Sequence, residues 1–460
     1  MAKATEVGAD YLVVGAGAMG MAFADALVDH ADVTVAIVDR RHAAGGHWLD
    51  AYPFVRLHQA SAFYGVASTL LGGGRLQTRG PEKGLQERAT APEVCAYYGR
   101  VMDRMLATGR VAFFPGCEYD GDGLFHSRVS GARYDAARAR IVDATYLSGE
   151  IPATSPPPFV VEDHANVLPV NDLVRLSDVP DQFVIAGSGK TGMDACVWLQ
   201  QQGVDPDAIC WVRPREPWIL NRAVVQPDPA IFLGMAADTM EAVRESESAD
   251  DIFLRLEDRD IMLRIDRSVT PTMAKTPTIA SWELDLLRRV DDVVRRGHVR
   301  SVGRGRLSFD DGDVAVSPDA VIVHCAAPGL PTRELVPIWE PDAIRPRAVR
   351  VGFPCFGAAL TGYVEATRTT DEERNDACRP SPYSDTPEDW VEMQIVGGDA
   401  SLGISRHPDI REWANTTTLN PSRIPADRAD DPAVVDAVTR LKASIGPGRA
   451  RLAELAAAQV

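Results

Sequence analysis

Apolar and polar residues fall along this chain in blocks that change period. Tyr11–Val14 is an apolar run that breaks into Gly15-Ala16-Gly17-Ala18-Met19-Gly20, after which small and apolar residues follow a helical pattern to Leu27. This predicts strand, glycine turn and helix. Val33–Val38 predicts the next strand, and Asp39 ends it. Thr90-Ala91-Pro92-Glu93 carries helix start signals. Val94, Tyr97, Tyr98, Val101, Met102 and Met105 then share one stripe, which predicts a helix with a buried face. Val111–Phe114 and Ile141–Thr145 read as strands, and the Pro-rich run Ile151–Phe159 as a semi-rigid connector. The first pattern then recurs. Gln182–Ala186 is a strand, Gly187-Ser188-Gly189-Lys190-Thr191-Gly192 a turn, Met193–Gln201 a helix and Ile209–Val212 a strand. Residues 225–290 break that rhythm with acidic helical stretches (Met235–Arg255) and a Thr/Pro segment, Thr270–Thr278. Val299–Leu307 and Val314–Val316 alternate as a hairpin, Asp319–Ala327 contains a strand, and Gly352–Ala366 a helix. The tail to Val460 is amphipathic helix and polar loop, to which the pattern assigns no role.

A G-x-G-x-x-G set between strand and helix is the context of dinucleotide binding. Gly15 allows the tight turn, Gly17 lets backbone approach a pyrophosphate, and Gly20 lets helix pack close on strand. The helix N-terminus offers unpaired N–H groups to the phosphates. Asp39 follows Gly15 by 24 residues, and an acid there suits an unphosphorylated ribose: FAD or NAD. In the second motif, Gly187, Gly189, Lys190, Thr191 and Gly192 form the candidate phosphate loop. Arg213, 26 residues after Gly187, and Arg215 stand where Asp39 stood. Arginine there accommodates a 2′-phosphate by a charge-assisted contact, which reads as NADPH. The fold class expected is α/β: two Rossmann-like dinucleotide-binding domains with a helical insertion in the second.

The whole chain narrows the setting. Its 460 residues suit two or three domains, and 45% apolar content supplies real cores. A formal net charge of −17 disfavours nucleic acid and anionic membrane surfaces as partners. Seven scattered cysteines without C-x-x-C weigh against a dithiol redox centre or a zinc ribbon, so no metal site is expected. The odd count fits a reducing cytoplasm. The first ten residues carry no signal-peptide core, and no apolar run reaches the length of a transmembrane helix. A homodimer is left open.

After Asp39 comes Arg40, then Gly45-Gly46-His47-Trp48, then Tyr52-Pro53-Phe54-Val55-Arg56-Leu57-His58-Gln59 with Ser61 and Tyr64. Acid, GG-x-W and YP in this order resemble the FAD domain of class B flavin monooxygenases, which include flavin-containing monooxygenases, Baeyer–Villiger monooxygenases and amine N-hydroxylases. The run departs from the Baeyer–Villiger pattern at Phe54, where that pattern has glycine, and at His58, where it has aspartate. The resemblance implies that Arg40, Gly46, His47, Trp48 and Arg56 lie against FAD, and that His58 and Gln59 approach the flavin ring. It implies an FAD domain from residues 1–158 and an NADPH domain from 159–330 with the insertion at about 225–290. Residues 331–460 then return to the FAD domain and add the tail. The last helix would face the flavin's N1–C2=O edge with Cys355 at its turn. Asp143-Ala144-Thr145 resembles the family's D-x-x-ATG strand end, with Tyr146 replacing a glycine, and Asp319–Ala327 stands where the family has a second, D-x-V-I-x-ATG. The F-x-G-x-x-x-H signature of Baeyer–Villiger enzymes is absent; Phe159 and His164 only echo it.

The implied activity is monooxygenation. NADPH reduces FAD, O₂ adds at flavin C4a, and the resulting (hydro)peroxyflavin oxygenates a small-molecule nucleophile, with N-hydroxylation of an amine or amino acid preferred. A reductase serving a redox partner and a non-catalytic NADP(H) sensor are the competing readings. Trp218, Asn221, Arg222 and Lys275 are pocket candidates for which plain core or surface roles are preferred.

Overall fold

In this computed structural model, which describes residues 4–327, 333–350 and 352–458, two units repeat one topology. The first sheet places Arg140–Asp143, Tyr11–Val14, Val35–Asp39 and Val111–Pro115 side by side, all parallel. The second places Val167–Pro169, Val321–His324, Phe183–Ala186, Ile209–Val212 and Val293–Val294 side by side, also parallel. In each, the strand before the glycine turn sits centrally and the chain crosses over by a helix: α1 (Ala18–His30) and α2 (Ala91–Ala107) in the first unit, α3 (Lys190–Gln201) in the second. Parallel neighbours require such crossovers, which bury both faces of the sheet. Accordingly Val35–Asp39 and Ile209–Val212 are buried at every residue.

Each unit also carries a small antiparallel meander before its last parallel strand: Cys117–Gly121, Leu124–Ser127 and Arg133–Asp135 in the first, Ser301–Gly303, Arg306–Phe309 and Gly312–Ala315 in the second. The expected hairpin at 299–316 is thus three strands. The α2 helix starts at a capping box in which Glu93 accepts the Thr90 backbone N–H at 2.8 Å, and all six residues of its apolar stripe are buried.

The insertion is helical but not only helical. Helices α4 (Pro229–Glu245), α5 (Ala249–Asp258) and α6 (Ser281–Leu287) surround a three-stranded sheet of Ile219–Asn221, Met262–Leu263 and Thr278–Ile279. A serine cap splits the acidic stretch Met235–Arg255: Ser248 takes the Asp251 N–H at 3.1 Å and starts a new helix.

The boundary expected at 330/331 lies outside the described residues. Beyond it, Ile344 bridges Val142 in parallel, so the chain runs again beside the first sheet. Helix α7 (Pro354–Thr367) then packs on α1 almost backbone to backbone: a Cβ on Gly362 would lie 2.3 Å from the Phe23 carbonyl oxygen. The tail forms α8 (Asp371–Ala377), α9 (Pro387–Ser405), α10 (Pro408–Thr416) and α11 (Pro432–Ala457). It joins the two units. Trp413 on α10 stacks on Tyr363 of α7 at 4.7 Å, and Trp390 on α9 meets Phe253 of α5 edge-on at 5.2 Å. On α11, Arg440 binds Glu241 of α4 at 2.9 Å.

Candidate active site

The first glycine turn answers separate demands at each glycine. Gly15 adopts φ +102°, which only glycine tolerates readily. A Cβ on Gly20 would lie 1.9 Å from the Gly15 carbonyl oxygen, so the close seat of α1 on the turn excludes any side chain. Gly17 has neither constraint from conformation nor a hard clash; a Cβ placed there would find Gly46 Cα as its nearest neighbour, 3.4 Å away. Gly45 donates to the Ala16 carbonyl at 2.9 Å, which seats the GG-x-W segment on the turn. Asp39 accepts the Ala16 N–H at 2.6 Å and the Arg41 N–H at 2.7 Å, so its carboxylate is fixed at the head of the turn. Trp48 donates its indole N–H to Tyr64 at 2.6 Å, which ties the two halves of the resemblance motif together.

The second turn repeats this arrangement. Gly187 has φ +135°, and a Cβ on Gly192 would sit 2.2 Å from the Gly187 carbonyl oxygen. A Cβ on Gly189 would meet nothing within 4 Å. Nothing in the fold requires glycine at 189, and its missing side chain leaves open room at the N-terminus of α3. Thr191 lies in the first turn of α3. Lys190 does not point into open space. It is buried and ion-paired with Asp194, whose other oxygen accepts the Tyr52 hydroxyl at 2.6 Å. Phe54 stacks on Trp198 of α3 at 4.6 Å. The YP segment of the first unit therefore docks on the nucleotide helix of the second.

The two arginines expected to read a 2′-phosphate differ. Arg213 is turned inward, 3% exposed, with its guanidinium 4.8 Å over Trp211 and Nε 3.3 Å from Glu216. Arg215 is about one-third exposed and is held by Asp385 at 2.6 Å and the Thr272 carbonyl at 2.6 Å. Arg40 and Arg56 are exposed; Arg56 reaches the Arg88 carbonyl at 3.4 Å, and neither joins a cluster.

Of His47, His58 and Gln59, His58 meets the second unit, where its carbonyl accepts the Thr278 hydroxyl at 2.5 Å. His47 keeps an exposed face, while the protein atoms packed around it and then the Arg41 charge lower its pKa to about 4. His58 and Gln59 are half-buried. Burial, followed by the charges of Lys190, Arg222 and Arg88, holds His58 well below its usual pKa, so its imidazole is neutral at pH 7. The cations come from a buried network that the sequence pattern does not reveal. Arg222, fully buried, binds Glu82 at 3.1 Å, Glu283 at 2.6 Å and the His58 carbonyl at 2.7 Å. Arg88 pairs with Glu82 in turn. Arg222 is thus a core residue, and so are Trp218, stacked on Phe253 at 5.2 Å, and Asn221, which caps the turn at Ala223. Cys355 is buried at the head of α7.

Residues 13–64 match the NAD(P)-binding Rossmann-like domain family. Uncharacterized protein Rv2000 of Mycobacterium tuberculosis (strain ATCC 25618 / H37Rv) is 40% identical over 419 residues, covering 89% of this chain and 77% of the relative. Uncharacterized protein Mb2023 of Mycobacterium bovis matches with the same identity and coverage. This chain belongs to the Rv2000 family. Among solved structures, a mutant flavin monooxygenase from Stenotrophomonas maltophilia is 15% identical with a TM-score of 0.47, covering 81% of this chain and 99% of that one. An open cyclohexanone monooxygenase is 14% identical with a TM-score of 0.46, covering 93% and 98%. Likenesses of this size bear on neither activity nor substrate.

In this member of the Rv2000 family, the helices differ in how their first turns are capped. Helices α2, α4, α5, α9 and α11 all have a side chain that caps their first turn. Helices α1, α3, α7 and α10 begin at Gly17, Gly189, Phe353 and His407 with no such acceptor. The first N–H groups of a helix need partners and carry the positive end of its dipole. Two of these ends follow the glycine turns, and at the second of them Gly189 leaves open room. These residues fit two dinucleotides. Among the described residues no group of three or more His, Cys, Asp or Glu could hold a metal ion, and no helix is long and apolar enough to cross a membrane.

Proposed function

We propose that this chain is an FAD- and NADPH-dependent monooxygenase that oxygenates a small-molecule nucleophile with O₂. The observation that carries the reading is the pair of matched glycine turns, an acid beyond one and arginines beyond the other, with the Tyr52 segment of the first unit docked on the α3 helix of the second through Asp194. Residues 1–158 and 331–460 form the FAD part, and 159–330 the NADPH part with its insertion. Gly15, Gly17, Gly20 and Asp39 hold the first dinucleotide, with Gly46, His47 and Trp48 beside it. Gly187, Gly189, Thr191 and Gly192 hold the second. Bound flavin supplies the two-electron exchange with nicotinamide and the activation of O₂. The chain's own residues bind, orient and exclude water. Asp39 is already an acceptor held in place. Neutral His58 and Gln59 offer hydrogen bonds at the cleft without adding charge. The insertion, clamped by the Arg222 network and the tail, closes the cleft against solvent.

The preferred nucleophile is an amine nitrogen. Support comes from the missing F-x-G-x-x-x-H signature: Phe159 is buried edge-on against His324 at 5.9 Å, and His164 occupies a left-handed turn, so neither resembles a nicotinamide-side pair. The test is stopped-flow mixing of NADPH-reduced holoprotein with oxygenated buffer, followed by product analysis with a primary amine, a thioether and a cyclic ketone. A transient absorbing between reduced and oxidised flavin, and an N-oxygenated product, are expected. Direct reoxidation to peroxide with every substrate would favour the reductase reading.

A further inference from the structure

Arg215 lies just beyond the end of strand Ile209–Val212, the position from which a side chain reaches the 2′ position of a ribose bound at the second glycine turn. Its guanidinium is not free. Asp385, from the segment leading into α9, binds Nη1 through Oδ2 at 2.6 Å, and its backbone oxygen takes Nη2 at 3.2 Å. The other carboxylate oxygen lies 3.4 Å from the Lys275 ammonium. One carboxylate thus engages two cations at the place where a phosphate dianion is expected.

Asp385 is set there rigidly. Its carbonyl accepts the Ala274 N–H at 2.7 Å, its N–H donates to Asp389 at 3.1 Å, and the neighbouring Ser384 hydroxyl donates to the Ala274 carbonyl at 2.6 Å. The backbone from which the carboxylate reaches Arg215 and Lys275 is thereby fixed. Burial opposes its charge, but the Arg215 hydrogen bond, the Arg215 charge and Lys275 outweigh that and hold its pKa below the usual value. Asp385 stays ionised throughout the physiological range. All three side chains keep about a third to a half of their surface exposed, so an incoming anion can reach them.

We propose that Asp385 sets the nucleotide preference of this protein by occupying Arg215 as an internal anion that a 2′-phosphate must displace. A phosphorylated ribose loses part of its contact energy in that exchange and meets a fixed like charge, whereas a ribose with a free 2′-hydroxyl meets no such penalty. The discrimination for NADP over NAD is consequently weaker than Arg215 alone would give. This inference rests on the reading of the second glycine turn as an NADPH site.

The test is calorimetric titration of NADP⁺ and NAD⁺ into the FAD-loaded protein, its Asp385→Asn variant and its Arg215→Gln variant. The asparagine substitution keeps the backbone contacts and the shape while removing the charge. Asp385→Asn should tighten NADP⁺ by about tenfold, the worth of a charged hydrogen bond no longer exchanged, and change NAD⁺ by less than about twofold. Arg215→Gln should weaken NADP⁺ and spare NAD⁺. Unchanged or weaker NADP⁺ binding in Asp385→Asn, or equal tightening of both nucleotides, overturns the proposal. If Arg215→Gln also leaves NADP⁺ unaffected, the NADPH reading itself is wrong, and the two failures are distinct.

Discussion

Replacing Gly189 and Gly192 of the second turn by alanine, one at a time, separates what the fold requires from what a ligand requires. In Gly192→Ala the new Cβ would lie 2.2 Å from the Gly187 carbonyl oxygen, a backbone atom that cannot rotate away. Overpacking of this kind costs about 1–3 kcal/mol, and a clash against main chain belongs at the upper end. In Gly189→Ala the new Cβ meets nothing within 4 Å, and φ of −74° suits alanine. The small loss of N-cap quality and the small gain from a stiffer unfolded chain offset each other to within roughly 0.5 kcal/mol. Of these two variants, only Gly192→Ala should lose stability. Binding should fall in Gly189→Ala, because the methyl group occupies the room through which backbone amides reach the phosphates. Losing one charged hydrogen bond of about 1.5–3 kcal/mol weakens NADP⁺ at least tenfold. Urea unfolding and calorimetric titration of NADP⁺ measure the two effects independently. Wild-type affinity in a stably folded Gly189→Ala protein would refute the view that this space exists for a phosphate.

Three further outcomes follow from the same structure. Asp39→Ala removes the acceptor of the Ala16 and Arg41 N–H groups, so purified protein should lack flavin absorbance and lose about 2 kcal/mol in urea; yellow protein with normal FAD affinity contradicts the assignment. Glu283→Gln strips Arg222 of one of its two carboxylates in a fully buried site and should cost roughly 3 kcal/mol by the same assay, whereas a loss under about 1 kcal/mol would show that the network tolerates an uncompensated charge. Asp25 is 1% exposed, and burial raises its pKa to about 6 despite the Ser68 hydrogen bonds and Arg104. The native state therefore holds a proton that the unfolded chain has released, so this group's contribution is full below about pH 4 and is lost as pH rises towards 6. Relative to Asp25→Asn, the wild type should lose about 3 kcal/mol between about pH 4 and pH 7 in urea titrations; a pH-independent difference would contradict the shift.

The sequence by itself determined the parts whose causes are local. A glycine with positive φ, a third glycine under a helix and an apolar strand before them are written within a short stretch of chain, so both turns, α1, α2 and α3 were legible, as was the acid at Asp39. The Thr90–Glu93 capping box and the stripe down α2 were legible for the same reason. The identity of the insertion as a separate block was legible from the loss of the strand–helix rhythm, though its small sheet was not, because such short strands carry no period.

Only the tertiary structure decided what each charge faces. Arg222, Arg88, Glu82 and Glu283 come from three distant segments, and a salt-bridged core arginine reads in sequence like any surface arginine. Lys190 looked like a phosphate ligand within its turn, yet docking of Tyr52 on α3 gives it Asp194. Arg213 and Arg215 stand two residues apart and meet opposite fates, one folded over Trp211 and the other drawn to Asp385, 170 residues further along. The tail was illegible because its helices have no motif; their role lies in the aromatic contacts at Trp413 and Trp390. Backbone geometry is set by neighbours in the chain and leaves its mark there. Electrostatic partnership is set by neighbours in space, which the chain order does not record.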